Sequence, residues 1–230
     1  MSRIDDIRAQ VEKGERQYRN LVLEVKEGNE DNYVVEGYAT TYNEPYHLYT
    51  VTAPDGYRIE VKEEVDRHAF DDADMSDVIM QYDHQGRVFA RLSNGTLKLD
   101  KDAERGLLVT ADLGGTDIGK QLYQEIKGGY TTKMSFGFTI AQASELREVE
   151  GEADETYVYT IEKVGRLFDV SAVSLPQNDF TSIQSVRSLN NGVIDEAVTE
   201  RLQAHEDKVA RAKQVAELRE EIRKLLESEE

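Results

Sequence analysis

The alternation of apolar and polar positions divides the chain into three stretches. Between residues 20 and 186, short apolar or alternating runs recur near 20–26, 33–40, 57–62, 78–83, 87–92, 96–100, 106–113, 131–140, 156–162 and 166–175, and each reads as a strand. One stretch has the helical period instead. Ile118, Leu122 and Ile126 fall four apart, Thr116 or Asp117 can serve as N-cap, and Gly128–Gly129 mark the end. Many short strands with few helices predict an α+β fold with a β-barrel-like, antiparallel-rich core and surrounding helices. The segment Tyr46–Asp55 gives no strand signal, so His47 is expected in a loop, as is His68.

The flanks differ from this core. Residues 1–19 are polar, with Ile4, Ile7 and Val11 at helical spacing, which predicts a short amphipathic or frayed helix. Asn190-Asn191-Gly192 mark a break, and residues 193–230 contain neither glycine nor proline. In that tail Val198, Leu202, His205, Val209 and Ala212 follow a 4-3-4-3 spacing that Val215, Leu218, Ile222 and Leu225 continue after a slip. Such a seam suits a partner helix or a coiled coil, and equally a helix lying on its own globular part. The expected organisation is a polar extension (1–19), a core (20–186), a linker (187–192) and an amphipathic helical tail (193–230).

Composition narrows the function. A formal net charge of −18 over 230 residues argues against nucleic acid as a partner, because backbone binding needs clustered Lys and Arg. The absence of cysteine excludes disulfides, thiolate metal sites and a Cys nucleophile. No stretch approaches membrane-spanning length and the N-terminus lacks a signal-peptide core, so the expected setting is the cytoplasm, with no membrane partner.

The segment TTKMSFGFTI (131–140) carries the most chemical information. As a strand it places Thr132, Met134, Phe136, Phe138 and Ile140 on a core face, with Ser135 and Gly137 on an accessible polar one. A serine hydroxyl becomes a nucleophile only when a base takes its proton. His84 ends the run VIMQYDHQG, where a strand enters a glycine-containing turn that can present an imidazole to a neighbouring strand. Asp169, set among Leu167, Phe168, Val170, Ala172 and Val173, is costly to bury ionised without a partner, and pairing with an imidazole relieves that cost. Each residue taken alone also fits an ordinary surface position.

Together these segments carry a resemblance. EGYAT (36–40), QYDHQG (81–86), GLLVTADL (106–113), a helix ending KGGY (127–130), KMSFGF (133–138) and LFDVSAVSLP (167–176), in that order, resemble the tailed-bacteriophage prohead maturation protease family. The resemblance implies a fold akin to the herpesvirus assembly protease. It also implies a serine endopeptidase without a cofactor or metal, with Ser135 as nucleophile, His84 as base and Asp169 as the orienting acid, Glu162 being the substitute. The oxyanion donor is unassigned, Arg166 and a backbone amide near the end of a strand being the alternatives. The implied partners are the major capsid protein precursor, scaffold helices, or both, met inside the immature prohead in the host cytoplasm. The tail leaves room for self-association, and Gln184–Gly192 is the expected region of self-cleavage.

Two decoys weigh less. Gly114–Gln121 has the glycines and lysine of a phosphate-binding loop, but Gln121 stands where the Mg²⁺-holding Ser or Thr belongs. The acidic run Asp71–Asp77 lacks the central glycine and terminal glutamate of a calcium loop. The serious rival is a non-catalytic capsid assembly or scaffold protein that retains the protease fold. It has no reason to keep His84, Ser135 and Asp169 together.

Overall fold

The computed structural model describes residues 17–25, 32–144, 146–174 and 192–228. Among these, eleven strands and two helices are present. The strands are β1 (Gln17–Val25), β2 (Val34–Thr41), β3 (Tyr46–Thr52), β4 (Arg58–Val65), β5 (Ile79–Tyr82), β6 (Gln85–Arg91), β7 (Leu97–Asp100), β8 (Gly106–Asp112), β9 (Lys133–Ala143), β10 (Arg147–Val149) and β11 (Glu155–Val173). Helix α1 (Asp117–Lys127) lies between β8 and β9, and α2 (Gly192–Ser228) follows β11.

Neighbouring strands bond in the order β3-β4-β11-β9-β1-β2-β8-β7, with β5 added to β11 and β6 to β5. Pairing is antiparallel except where β11 runs alongside β4 and then β5. The path curls on itself. Tyr42, just past β2, bridges Val65 at the end of β4, and the Asn43 amide donates to the Val65 carbonyl at 2.8 Å. Barrel-like curvature therefore rests on one bridge rather than on a full seam, within a mixed α+β fold.

Alternation explains the interior. In β4, Ile59, Val61, Glu63 and Val65 are buried while the residues between them are partly exposed. Three of these are apolar. Glu63 is admitted because the hydroxyls of Tyr46 and Tyr159 both donate to its carboxylate. On β9, Met134, Phe136 and Phe138 are fully buried, the two phenyl rings stacked 4.5 Å apart, whereas Thr132 is exposed.

The fold departs from the sequence-based expectation in several places. Tyr46–Thr52 is a strand, not a loop, and His47 lies in it. A register shift between His47 and Tyr49 breaks the period of two that would have revealed it. The two strands expected at 156–162 and 166–175 are one, β11, which absorbs Gly165 through register shifts against β9 between Ile161 and Asp169. Residues 17–19, expected in the N-terminal helix, begin β1, and the rest of that segment lies outside the described residues, as do 184–191 of the expected self-cleavage region.

Helix α1 follows its signals. The Thr116 hydroxyl accepts the Gly119 amide at 3.1 Å and Gly128 closes the other end. The Gly114 amide donates to Asp112 at 2.8 Å, so these amides of the phosphate-loop decoy are bonded within the chain. Helix α2 divides the two readings of its seam. Val198 is buried and Leu202 packs on the core, while the His205 ring stacks on Tyr57 at 3.8 Å and bonds Asp55 at 2.6 Å. Beyond them Val209, Val215, Leu218 and Ile222 are exposed.

Candidate active site

Three elements converge on one point. Strand β9 carries Ser135, its neighbour β11 carries Asp169, and the turn between β5 and β6 carries His84. Register fixes the first two. Ser135 lies opposite Ser171, and Asp169 lies opposite Gly137, two residues along β9 from Ser135. The parallel pairing of β5 with β11 sets Asp169 beside Ile79 and Ala172 beside Tyr82, which brings the end of β5 to the same place.

The turn itself is tight. Tyr82 pairs with Gln85, so only Asp83 and His84 connect the strands, and both have positive φ (48° and 58°). Two left-handed residues in a two-residue loop form the type I′ hairpin favoured by strand twist, and Asp and His tolerate that region better than most residues. The turn is then pinned to β11. The Asp83 amide donates to the Ala172 carbonyl at 2.9 Å, and the Asp83 carboxylate accepts the Ser174 amide and hydroxyl.

The imidazole thus held spans the other two groups. His84 Nδ1 lies 2.6 Å from Asp169 Oδ1, and Nε2 lies 2.7 Å from Ser135 Oγ. A carboxylate only accepts, so Nδ1 carries the proton and Nε2 is left with its lone pair toward the serine O–H. Asp169 and Ser135 have no exposed surface, and the His84 side chain retains 11 %. In this low-dielectric setting a charge-assisted bond to Asp169 offsets the cost of burying the carboxylate.

Burial corrects one expectation. Ser135 does not stand on a solvent-accessible face, because the strand is covered on both sides and the imidazole of His84 lies against the hydroxyl. The other expected residues sort clearly. Glu162 accepts a bond from Gln142 at 2.5 Å on the exposed side of the sheet, whereas Asp169 meets His84. Arg166 pairs with Thr139, four residues and roughly 13 Å along β9 from Ser135. Its guanidinium sits at Asp74 (3.5 Å) and over Phe168. Of the two alternatives for the oxyanion donor, then, Arg166 is placed away from the serine. His47 bonds Thr50, His68 bonds Asp71 and His205 bonds Asp55, so among the four histidines the serine is met by His84.

Sequence reasoning missed Asp83, Ser171 and Ser174. The Ser171 hydroxyl donates to Asp169 Oδ1 at 2.8 Å, and the period of two along β11 was a usable signal that these two share a face. Among the described residues, no group of His, Asp and Glu is arranged to hold a metal ion, and no helix is long and apolar enough to cross a membrane.

A serine, a histidine and an aspartate joined in one line of hydrogen bonds, on strands that fix their spacing, is the constellation of a serine hydrolase. The family model of the caudovirus prohead serine proteases matches residues 19–193, and the chain belongs to that family. Membership places it with serine peptidases of the phage prohead, associated with capsid proteins in the immature capsid. No curated protein and no solved structure matches the chain significantly.

Proposed function

We propose that this protein is the endopeptidase of capsid maturation, cutting scaffold or the scaffold-like part of the major capsid protein and also its own chain. The reading is carried by the unbroken line from Ser135 Oγ through His84 to Asp169, at 2.7 and 2.6 Å. Ser135 Oγ attacks the scissile carbonyl carbon while its proton passes to His84 Nε2. The tetrahedral intermediate collapses, and Nε2 returns that proton to the departing amine, leaving an ester on Ser135. Water then attacks the ester with Nε2 as base, releasing the carboxylic acid and restoring the serine. Asp169 accepts the Nδ1–H bond throughout, and its charge stabilises the imidazolium formed at each step.

The tail fits the same reading. Val215, Leu218 and Ile222 are 47, 58 and 56 % exposed and fall within about 60° of one another around the helix, a short apolar row suited to helical scaffold. Chains ending after His205 are expected to enter shells less efficiently, and unchanged incorporation would remove this role from the tail.

The testing experiment is intact-mass analysis over hours at neutral pH, with and without the matching capsid precursor, beside Ser135→Ala. Trimming of the wild type, or of the precursor by it, with Ser135→Ala inert, supports the reading. If both proteins leave themselves and the precursor whole, the non-catalytic assembly protein becomes the better account.

A further inference from the structure

The least explained polar group near the site is Ser171. It is fully buried and lies directly opposite Ser135, and its hydroxyl donates to Asp169 Oδ1 at 2.8 Å. That oxygen is the one that also accepts the His84 Nδ1–H bond at 2.6 Å. The neighbouring Val170, Ala172 and Val173 are buried and apolar, and an alanine would fill almost the same volume as the serine without a polar group to satisfy. A second donor on the same oxygen adds a restraint on the rotation of a carboxylate to the one the first donor supplies.

We propose that Ser171 is a positioning residue for the reaction set out above, an inference that rests on that reading. By holding Oδ1 it stops the Asp169 carboxylate from turning, and the carboxylate in turn keeps the imidazole aimed at Ser135. Ser171 acts through Asp169; the bond its hydroxyl donates is to that carboxylate rather than to the reacting atoms.

The test is the rate at which a fluorophosphonate probe labels Ser135 in the full chain. Wild type, Ser135→Ala, Ser171→Ala and Ser171→Thr are compared. Labelling is expected in the wild type and absent in Ser135→Ala. Ser171→Ala should label roughly 10- to 100-fold more slowly, a loss within the reach of one hydrogen bond to a charged acceptor. Ser171→Thr, which keeps the hydroxyl, should restore the rate. A purely structural role would lower the melting temperature and leave the labelling rate of the folded protein at the wild-type value. Should Ser171→Ala fail to fold, Ser171→Cys keeps nearly the same volume with a far weaker donor and is read in the same way. A wild-type labelling rate in the Ala or Cys variant overturns this inference alone. A wild type that is never labelled overturns the serine-hydrolase reading, and this inference with it.

Discussion

The carboxylate of Asp83 receives both the amide and the hydroxyl of Ser174, each at 2.9 Å. The turn bearing His84 is thereby tied to the end of the strand bearing Asp169, so base and acid move as one body. Asp83→Ala should lower kcat roughly 10-fold with little change in KM, because it loosens a turn without touching substrate contacts. Steady-state kinetics on a capsid-precursor peptide would check this, and a change confined to KM would contradict it.

Asp169→Asn should keep the fold and nearly abolish turnover. The amide can still meet Nδ1, but it supplies no charge to stabilise an imidazolium and can hold the wrong tautomer. A loss of about 10⁴-fold in kcat is expected. Glu162→Gln serves as the comparison and should leave the rate unchanged, since Glu162 bonds Gln142 at an exposed position and not His84. Equal losses in the two variants would remove Asp169 from the line.

Gly119 and Gly115 should respond in opposite directions to alanine. A Cβ on Gly119 would stand 2.2 Å from the Leu113 carbonyl oxygen, and Leu113 is fully buried, so the backbone has little room to give. The better helix propensity of alanine, about 1 kcal/mol, does not offset that clash, and a net loss of about 1–3 kcal/mol is expected. A Cβ on Gly115 meets nothing within 4 Å, and Gly115→Ala should be neutral or stabilising by up to about 1 kcal/mol. Urea unfolding of both variants provides the check.

Acid should release the first turns of α2 before it unfolds the sheet. Burial pushes the Glu155 carboxyl up, but bonds from Tyr157 and Tyr57 and the charges of Arg201 and His205 outweigh it and hold it below its ordinary value. His205 and the Tyr57 amide likewise lower Asp55. Carboxylates depressed in this way stabilise the folded form above their unfolded values, near pH 4. That contribution is lost as pH falls through the folded values. Hydrogen exchange between about pH 5 and 3 should therefore show residues 198–205 losing protection ahead of β9 and β11, and His205→Ala should reproduce this at neutral pH. Simultaneous loss in helix and sheet would count against the idea.

How far the sequence could be read depended on the range of the interaction. Period and caps revealed β4, β8, β9 and α1, because each is encoded within a dozen residues. The candidate triad was legible through the resemblance that its three segments carry together, since each residue taken alone also fits an ordinary surface position. What escaped depends on distant pairing. The bulge at His47 hid β3, β4 and β5 turned two expected strands into one by flanking β11 in succession, and Ser135 is buried by a turn fifty residues earlier. Asp83, Ser171 and Ser174 look ordinary until that turn and β11 are set side by side.

A helix of 37 residues is about 55 Å long, and among its described side chains α2 is anchored through Val198, Leu202 and His205. The part beyond His205 therefore projects roughly 35 Å as a stiff rod. Stiffness makes it a spacer. On the function proposed above, a partner engaged at Leu218 and Ile222 would be kept at a set distance from Ser135, where a flexible tether would let it sweep through a sphere. The position of the cut would then be measured out along that partner, and a shift of the docking segment by a few turns would move the cut by a matching length of chain.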